Sequence, residues 1–551
     1  MSSSIRSRGD SFLGPASGAL VLAALAAVVW VRPLGWAPVD RLMEASEVQV
    51  VEQMLLGQGL VLPLLPDHEV PEKPPLMHWL AAASSRFLPW PRTELAVQEA
   101  AVRLPSAAAS IASVVALWLW ARRRFSDSTA ALAALLFMVT YRVATMARTA
   151  WVDATFSAWV AIAIMLGFDL VEARIAATSR RNAQGIELSG AVRDRWRAPC
   201  FWLCLAGATL TKGPLGIVLP ALTLLCWSLA RRRPDSLAAL LSPAAMALAA
   251  GLVGAWYAAA YAQHGQAFLD KQIVKSYFQR FAIRDPDSPR PQPFWYFLVY
   301  FFSEAFPTSA LFPLAAWDAM RHRLGHPDDL SPGGWTPATG TAAAPAAPPA
   351  ARRAELRRFL VLWVLVFVAF FSLSAGKRKV YLLPCYPAVA LLSADWVLRR
   401  TQHVASAARA WRRRLLATGV AAAFLWAAVV QPSIDRRKWG ACSYKAFAQE
   451  VVRQTSTPLA AVGVAGFFPL TVYLMPRLRF FAHLEDVPPE TQQLLIAGET
   501  LADPRTQAKR HAKASRQAPQ PPPGWEIALS TEARSGFAKR HPVLLLRRRA
   551  L

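Results

Sequence analysis

The sequence predicts an all-α polytopic membrane domain with about 11–13 spans, followed by a small C-terminal α/β domain. The first observation behind this prediction is composition: 54% of the 551 residues are hydrophobic, with 21 Trp and 27 Phe. The second is that apolar residues recur in runs of roughly 18 or more, the length at which a helix crosses a bilayer. The third is a change to a more polar sequence from about residue 432 onward.

About eleven apolar runs are clear, and each is predicted to be helical because lipid offers no partner for an exposed backbone N–H or C=O group. Arg6 and Arg8 precede the first run, which is predicted to be an uncleaved span and not a removable signal. The runs lie near 14–31, 105–121, 128–146, 153–171, 199–211, 214–230, 237–262, 293–318, 359–374, 380–397 and 415–431.

The net charge of +26 is distributed in a way that favours a membrane protein over a nucleic-acid-binding one. Basic residues collect in alternate loops, and loops of this kind stay in the cytoplasm. The other loops and the region after 431 are therefore predicted to face the periplasm, with the spans in a bacterial inner membrane. The basic loops are Arg122 to Arg124, Arg174 to Arg197, Arg231 to Arg233, Arg321 to Arg358 and Arg399 to Arg414.

Three regions follow from these patterns. Residues 1–431 form the predicted membrane domain, with a long first periplasmic loop at 32–104. Residues 324–351 are rich in Gly, Ala, Thr and Pro and are predicted to form a flexible cytoplasmic linker. Residues 432–551 form the predicted periplasmic α/β domain, with strands at Leu459 to Val464, Leu494 to Ala497 and Val543 to Leu546, a helix at Phe467 to Leu474, and a loop at 504–523.

The predicted outer face mixes acidic and basic residues, whereas the predicted inner loops are almost purely basic. Such a mixture suits transfer of a sugar from a lipid phosphate. A cation or metal stabilises the departing phosphate, and a carboxylate accepts the proton of the incoming hydroxyl. The residues concerned are Asp40, Glu44, Glu47, Glu52, Asp67, Glu69, Glu72, Lys73 and His78 in the first loop, then Asp153, Lys212, Arg280 and Lys377 to Lys379.

Several candidates also have a structural explanation that the sequence leaves open. Arg103 and Lys212 lie where long basic side chains extend from helix ends toward the membrane interface. Asp153 lies where an acidic residue can cap a helix N-terminus. His78 stands in an apolar stretch, where a histidine is more often structural than a metal ligand.

Six short motifs follow one another along the membrane domain. They are Glu72 to Leu76 with Trp79, Arg103 to Ser106, Arg148 to Asp153, Thr211 to Pro214, Arg280-Phe281 before Pro293 to Tyr296, and Lys377 to Lys379 before Tyr381 to Pro384. This ordered series resembles the lipid-carrier-dependent glycosyltransferases with the GT-C fold, in particular the bacterial aminoarabinose (lipid A) transferases and the protein O-mannosyltransferase superfamily. The resemblance implies a periplasmic cavity in which a sugar leaves an undecaprenyl-phosphate carrier with inversion.

The resemblance also implies roles for individual residues. Glu72 matches a position implicated in metal binding in the aminoarabinose branch, so a divalent metal is a candidate cofactor whose identity the sequence does not define. Asp153 matches a second acidic residue of the site. The predicted ligands of the carrier phosphate are Lys73, Arg103, Lys212, Arg280 and Lys377.

One departure from the family concerns the catalytic base. The family usually carries an Asp-Glu pair in the first outer loop, and ungapped register from the Lys-Pro-Pro motif puts Met43-Glu44 there. A methionine cannot accept a proton, so the usual assignment does not transfer. Three outcomes are open: Glu44 takes over, Asp40 or Glu47 moves in, or the chain is a divergent or inactive member. We predict Glu44 and Asp153 as the catalytic residues.

The functional prediction is an integral-membrane glycosyltransferase. It moves a sugar from an undecaprenyl-phosphate carrier to a periplasmic acceptor, which could be a lipid A-like lipid, an envelope glycan or a protein. Its expected partners are the donor, the lipid or glycan acceptor and membrane lipids, with no nucleic acid. A transporter or flippase is an alternative, but it would need ionisable groups near the bilayer midplane and repeat symmetry, neither of which the sequence displays. A non-catalytic relative that binds a lipid-linked sugar is a second alternative.

Overall fold

The computed structural model describes most of the chain, and the predicted linker at 324–351 and loop at 504–523 fall almost wholly outside the described residues. Asp40 and Asp67 lie outside them as well. The described ranges are 14–39, 41–65, 69–90, 98–184, 196–283, 292–321, 349–402, 406–440, 444–455, 458–464, 468–497, 520–531 and 543–549.

Helices dominate these ranges. Short 3₁₀ or π-helical segments join several of them, including the π-helix Leu269–Ile283 and the 3₁₀ helix Lys379–Cys385. The α-helices are α1 (Pro15–Trp30), α2 (Leu42–Leu55), α3 (Leu76–Phe87), α4 (Glu99–Ala121), α5 (Asp127–Val139), α6 (Tyr141–Met146), α7 (Val152–Gln184), α8 (Arg197–Lys212), α9 (Leu215–Ala230), α10 (Pro243–Phe268), α11 (Tyr296–Glu304), α12 (Thr308–Arg321), α13 (Pro349–Leu373), α14 (Tyr386–Gln402), α15 (Ser406–Leu425), α16 (Gln431–Gly440), α17 (Tyr444–Gln454) and α18 (Phe468–Leu474).

The described part of the chain holds six helices that are long and apolar enough to cross a membrane, or seven if α11 and α12, bent by 117°, form one span. α1, α5 and α9 are apolar but shorter, and the sequence prediction of about 11–13 spans had counted such runs. The protein is therefore a multi-pass membrane protein, as its composition predicts. The six are Glu99–Ala121, Val152–Ser179, Pro243–Ser276, Ala351–Leu373, Lys379–Thr401 and Arg414–Lys438.

The chain divides into two compact units, each built from several segments. The structure groups the first loop with the C-terminal region, whereas the boundaries drawn from the sequence left that loop in the membrane domain. The first unit is Met1–Trp30, Ser106–Ala147 and Val152–Ala427, and the second is Val31–Pro105, Arg148–Trp151 and Ala428–Leu551.

In the first unit, two charged side chains lie at the ends of helices. α8 ends before Gly213, whose φ of 78° favours a residue without a side chain, and Pro214 then leads into α9. This turn leaves Lys212 as the last residue of α8. α7 begins at Val152, which puts Asp153 in its first turn.

The interior of the first unit is rich in aromatic side chains. Phe168 of α7 and Phe359 of α13 have ring centroids 4.3 Å apart, and Trp227 of α9 lies 5.4 Å from Phe359. Such ring pairs stabilise a contact beyond their buried area. They hold α7, α9 and α13 together.

The second unit contains a mixed five-stranded sheet in the order β2-β1-β3-β5-β4. β1 is parallel to β2 and β3, whereas β5 is antiparallel to β3 and β4. The three predicted strands correspond to β1, β3 and β5, and the predicted helix corresponds to α18. β2 and β4 were not predicted because their exposed and half-buried side chains lack a clear apolar pattern. The strands are β1 (Leu459–Val462), β2 (Leu478–Phe481), β3 (Gln493–Ala497), β4 (Trp525–Ser530) and β5 (Val543–Arg548).

Hydrogen bonds over long chain separations join the first loop to α18 within the second unit. The Gln49 side-chain amide of α2 donates to the Thr471 hydroxyl of α18. The Tyr473 hydroxyl accepts from the Val39 N–H at 2.6 Å and donates to Glu99 at 3.3 Å. Because all these groups are buried, their mutual satisfaction fixes how α2 packs on α18.

Gly216 offers a test of the α8–α9 turn. A Cβ at Gly216 would lie 2.5 Å from the Thr209 backbone nitrogen, so Gly216→Ala forces the two helices apart and is expected to cost about 1–3 kcal/mol. The matched control is Gly251→Ala in α10, where a Cβ would meet no atom within 4 Å. Thermal unfolding in detergent should show a lower Tm for Gly216→Ala alone, and equal Tm values for the two variants would contradict this packing.

Candidate functional site

A buried ion pair between Asp153 and Lys212 is the main charged feature of the first unit. The Lys212 ammonium donates to Asp153 Oδ1, so the first turn of α7 is linked to the last turn of α8. The same ammonium lies 4.9 Å from the ring centroid of Tyr381 and 5.3 Å from that of Phe156. Aromatic faces and one carboxylate thus surround a cation at the end of a helix.

Further cations lie just before Tyr381 in the chain. Lys377 donates to the Ser374 carbonyl, and burial lowers the pKa of the Lys377 ammonium from its ordinary value. Lys379 lies 3.9 Å from Glu304 Oε1 and 4.0 Å from the ring centroid of Tyr300. The sequence analysis placed these lysines among the charged residues of the predicted outer face.

Glu304 was missed by the sequence reasoning. It is buried at the end of α11 and forms ion pairs with Arg142 and Lys379. An acidic residue in the middle of the apolar run at 293–318 was the available signal, because a carboxylate in such a run needs a cationic partner.

The second unit contains a different kind of charged contact, between Arg103 and Glu44, each only 2% exposed. Arg103 Nε donates to Glu44 Oε1 at 2.7 Å and Nη2 donates to Oε2 at 3.1 Å. The remaining guanidinium N–H groups donate to the carbonyls of Leu34, Ala37 and Pro38. All five donors of Arg103 are therefore used inside the unit.

Both carboxylate oxygens of Glu44 are likewise hydrogen-bonded within the unit. Its Oε1 also accepts the Ala150 N–H at 2.8 Å. Burial alone would raise the pKa of the Glu44 carboxyl, but the charge and hydrogen bonds of Arg103, with smaller effects of Arg41 and Ala150, lower it. Glu44 as the base and Arg103 as a phosphate ligand stay predictions, and each would require the residue to give up bonds formed here.

A second acid–base contact on α2 joins it to α3. Glu47 Oε2 lies 2.7 Å from His78 Nε2, and His78 is 1% exposed. His78 Nδ1 is buried without a hydrogen-bond partner among the described residues. His78 thus contacts an acid of the first loop. The sequence had left open a structural role for His78 as the alternative to metal binding.

The Glu72-Lys73 pair lies in the turn before α3, with Lys73 Nζ 3.6 Å from Glu72 Oε2. The described residues contain no group of three or more His, Cys, Asp or Glu side chains that could hold a metal ion. Glu72 alone does not supply the several ligands that a divalent metal needs, so no step is assigned to a metal. The predicted role of Arg280 stays a prediction, because its side chain is outside the described set.

The comparisons with known proteins define a class. Residues 72–177 match the family described as dolichyl-phosphate-mannose-protein mannosyltransferase. In its fold and in its ordered motifs, the chain is similar to lipid-carrier-dependent glycosyltransferases with the GT-C fold. The structure of ArnT from Cupriavidus metallidurans bound to undecaprenyl phosphate superposes with a TM-score of 0.66 at 17% identity, over 96% of this chain and 97% of that one. The GT-C fold expected from the sequence is therefore confirmed.

Among individual relatives, this chain is similar to enzymes described as undecaprenyl phosphate-alpha-4-amino-4-deoxy-L-arabinose arabinosyl transferase. The protein from Pectobacterium carotovorum is 28% identical over 382 residues, which is 68% of this chain and 58% of that protein. The protein from Erwinia tasmaniensis is 26% identical over 79% of this chain and 68% of its own length. The match thus spans little more than half of the Pectobacterium relative.

The contact between Arg103 and Glu44 predicts a large effect on stability. Arg103→Met should leave the Glu44 carboxylate buried without its cation and lower the free energy of unfolding by about 3–5 kcal/mol. Arg453→Met is the control, because the Arg453–Glu450 pair is exposed and contributes little to the free energy of unfolding. Thermal unfolding of the purified protein measures the Tm of both variants. If Arg103→Met has the same Tm as the control, the Arg103–Glu44 pair does not stabilise the unit.

Glu52 lies on the same helix as Glu44, but the stability of the fold is expected to change with pH in the opposite sense at this residue. Burial raises the pKa of the Glu52 carboxyl well above its ordinary value, and neither oxygen has a partner among the described residues. The unfolded chain ionises Glu52 near pH 4.5, so this residue makes the fold less stable as pH rises above that value. Glu52→Gln should therefore raise Tm at pH 7 and leave it unchanged at pH 4.

Glu44→Gln is the matched comparison for Glu52→Gln. The lowered pKa of Glu44 contributes stability above pH 4.5 that is lost as pH falls, so its removal should lower Tm at pH 7. Tm values that shift in the same direction for both variants at pH 7 would contradict the difference in pairing between these two buried carboxylates.

Proposed function

We propose that this protein is an integral-membrane glycosyltransferase that transfers a sugar from an undecaprenyl-phosphate carrier to an acceptor on the periplasmic face. The observation that carries the proposal is the buried Asp153–Lys212 pair beneath Tyr381, within a fold similar to that of ArnT. The donor class follows from the activity by which these relatives are described. Transfer with inversion follows the resemblance of the motifs.

Lys212 suits a carrier phosphate for a specific reason. When the sugar leaves, the phosphate gains a negative charge, and a fixed cation lowers the energy of that state more than the energy of the bound donor. Lys212 is already desolvated, and α8 and Asp153 hold its position. Lys377, whose lowered pKa shows that its charge is partly desolvated, is proposed as a second cation in the same unit.

Lys73 and Arg280 are proposed as further ligands of the carrier, on the strength of their motifs. Asp153 is proposed as the acid that positions Lys212. The saturated donors of Arg103 favour a supporting role for that residue. The motifs support Glu72 as a candidate metal ligand, and its carboxylate also lies beside the Lys73 ammonium.

The orientation of the protein is proposed from charge. The basic loops would lie in the cytoplasm, and the lysine cluster and the C-terminal sheet would face the periplasm of a bacterial inner membrane. The acceptor would then be a periplasmic hydroxyl or phosphate group on lipid A, on an envelope glycan or on a protein.

Transfer by purified protein tests the proposal. Wild-type protein in nanodiscs should move label from undecaprenyl phosphate-α-4-amino-4-deoxy-L-arabinose to lipid A. Lys212→Met and Asp153→Asn should each lower kcat/KM by about 10²–10³-fold, because the first removes the fixed cation beside the phosphate and the second removes the carboxylate that holds that cation in position.

Lys445→Met is the control for those variants. It also breaks a lysine–carboxylate pair, with Glu99, but outside the proposed site, and it should keep wild-type turnover. A wild-type protein that leaves this donor and a panel of other undecaprenyl-phosphate sugars intact would contradict the proposed function. Wild-type turnover by Lys212→Met would contradict the assigned site.

A further inference from the structure

The first unit has a second layer of charged residues, far from Lys212. Asp169 follows Asp153 on α7 at a distance of about 24 Å along the helix axis, since each residue of a helix adds about 1.5 Å. The two acids therefore mark opposite ends of the span. The basic residues around Asp169 come from three segments: Arg122 to Arg124 after α4, Arg231 to Arg233 after α9, and Arg352 to Arg358 in α13.

Asp169 holds the first of these segments. Its buried carboxylate forms an ion pair with Arg124 and accepts the indole N–H of Trp120 at 3.0 Å. The Arg124 guanidinium also lies over the Trp120 ring, 4.4 Å from its centroid. Arg124 is thus committed to contacts inside the unit, whereas Arg123 beside it is exposed.

Glu172, one turn further along α7, holds the second segment in the same way. Its carboxylate accepts the indole N–H of Trp227 at 2.8 Å and lies 3.9 Å from Arg231 Nε. Arg231 also forms an ion pair with Glu355 of α13. The next residue of the segment, Arg232, is exposed.

The start of α13 joins these two segments. Glu355 binds the second segment through Arg231, and Arg353 Nε donates to the Arg124 carbonyl of the first segment at 3.2 Å. Arg352, next to Arg353, is exposed. Three exposed arginines therefore lie on segments that contact one another, and each is adjacent to an arginine that fixes its segment.

The backbone of Arg232 favours a role for its side chain. Arg232 has a φ of 55° and is the one residue other than glycine with a positive φ among those described. Its N–H donates to the Leu229 carbonyl, and the Arg233 N–H donates to the Ser228 carbonyl, which is the Schellman pattern of a helix end. Glycine usually occupies this position, because a Cβ is strained there. An arginine at a position that favours glycine points to a use of its charge.

We propose that Arg123, Arg232 and Arg352 bind the phosphate headgroup of an anionic phospholipid. They lie at the ends of apolar helices, where lipid headgroups are the nearest source of phosphate. Arginine binds phosphate through paired N–H donors, and the anchored neighbours keep the three side chains at the membrane surface. The inference goes beyond the proposed function, because it concerns neither the sugar donor nor the acceptor. Under the proposed orientation, this surface is the cytoplasmic leaflet.

Lipid binding by the purified protein tests the proposal. In detergent, native mass spectrometry should show phosphatidylglycerol bound more tightly than phosphatidylcholine. The triple variant Arg123→Gln, Arg232→Gln, Arg352→Gln should bind phosphatidylglycerol about 100-fold more weakly, because each arginine near an anionic headgroup contributes about fivefold. Its affinity for phosphatidylcholine should not change.

The matched control removes three exposed basic residues from another helix. The triple variant Arg436→Gln, Arg437→Gln, Lys438→Gln in α16 removes the same amount of charge and should keep the wild-type affinity for phosphatidylglycerol. An equal loss of affinity in both triple variants would show that overall charge binds the lipid, and it would overturn the proposed site.

Arg232→Gly separates the charge of this residue from its contribution to the fold. Because glycine suits a left-handed φ, this variant should keep or raise the Tm in detergent, yet bind phosphatidylglycerol about fivefold more weakly. Arg232→Lys keeps the charge and should retain most of the affinity. Wild-type affinity in Arg232→Gly would overturn the role of Arg232.

Other ligands give outcomes that decide against a lipid. If inorganic phosphate or a short RNA binds through the same three arginines more tightly than phosphatidylglycerol does, the site serves a soluble anion and the proposal is wrong. Equal affinity of the wild-type protein for phosphatidylglycerol and phosphatidylcholine would also overturn it. None of these measurements needs a sugar donor, so their results are independent of the proposed function.

Discussion

The pairing of Arg103 with Glu44 is the contact on which the second unit depends. A single guanidinium binds one carboxylate through two N–H groups and three backbone carbonyls of the 34–38 segment, and the same carboxylate accepts an N–H of the 148–151 turn. Three parts of the chain that are distant in sequence, 34–44, Arg103 and 148–151, thus meet at one buried charge pair. Arginine suits this task because its donors form a rigid planar fork, whereas an ammonium could not satisfy so many fixed acceptors.

This use of arginine separates structural charges from those available to a ligand. With Arg103 committed to the backbone, two of the cations proposed to bind a carrier phosphate in the first unit are Lys212 and Lys377, whose ammonium groups act as compact point charges with a flexible reach. Lys212 and Lys377 make few other contacts. The acids of α2 divide in the same way, since Glu44 is committed to Arg103 while Glu47 keeps one oxygen free among the described residues.

Local pattern was enough to predict the membrane helices, because the length and apolarity of a run decide whether it crosses a bilayer. It was also enough to single out Lys212 and Asp153, which interrupt apolar sequence at the ends of runs. It could not predict that these two residues pair with each other across 59 positions. It likewise missed the grouping of the first loop with the C-terminal region, which depends on contacts such as Gln49 with Thr471, 422 positions apart.

Glu304 and the Glu47–His78 contact show a second limit of local pattern. Each of these residues can be noted in the sequence, but whether a charged residue has a structural or a functional role depends on the residues that it contacts. Glu304 meets Arg142 and Lys379 and so is compensated, whereas His78 meets only Glu47 among the described residues. It is unusual for a buried histidine to have a hydrogen-bond partner for only one of its two ring nitrogens, because the other nitrogen loses its hydration without replacement. The free Nδ1 of His78 could have been found only from the structure.

The ends of α7 and α8 explain why the Asp153–Lys212 pair can respond to a phosphate. The N-terminus of a helix carries partial positive charge and its C-terminus partial negative charge, so Asp153 in the first turn of α7 and Lys212 in the last turn of α8 are each stabilised by their own helix. Neither charge therefore depends wholly on the other. In the proposed donor complex, in which a carrier phosphate would contact Lys212, the dipole of α7 would still compensate Asp153. A fixed charge that needs no reorganisation at the moment of bond cleavage is the form of stabilisation that lowers a transition state most.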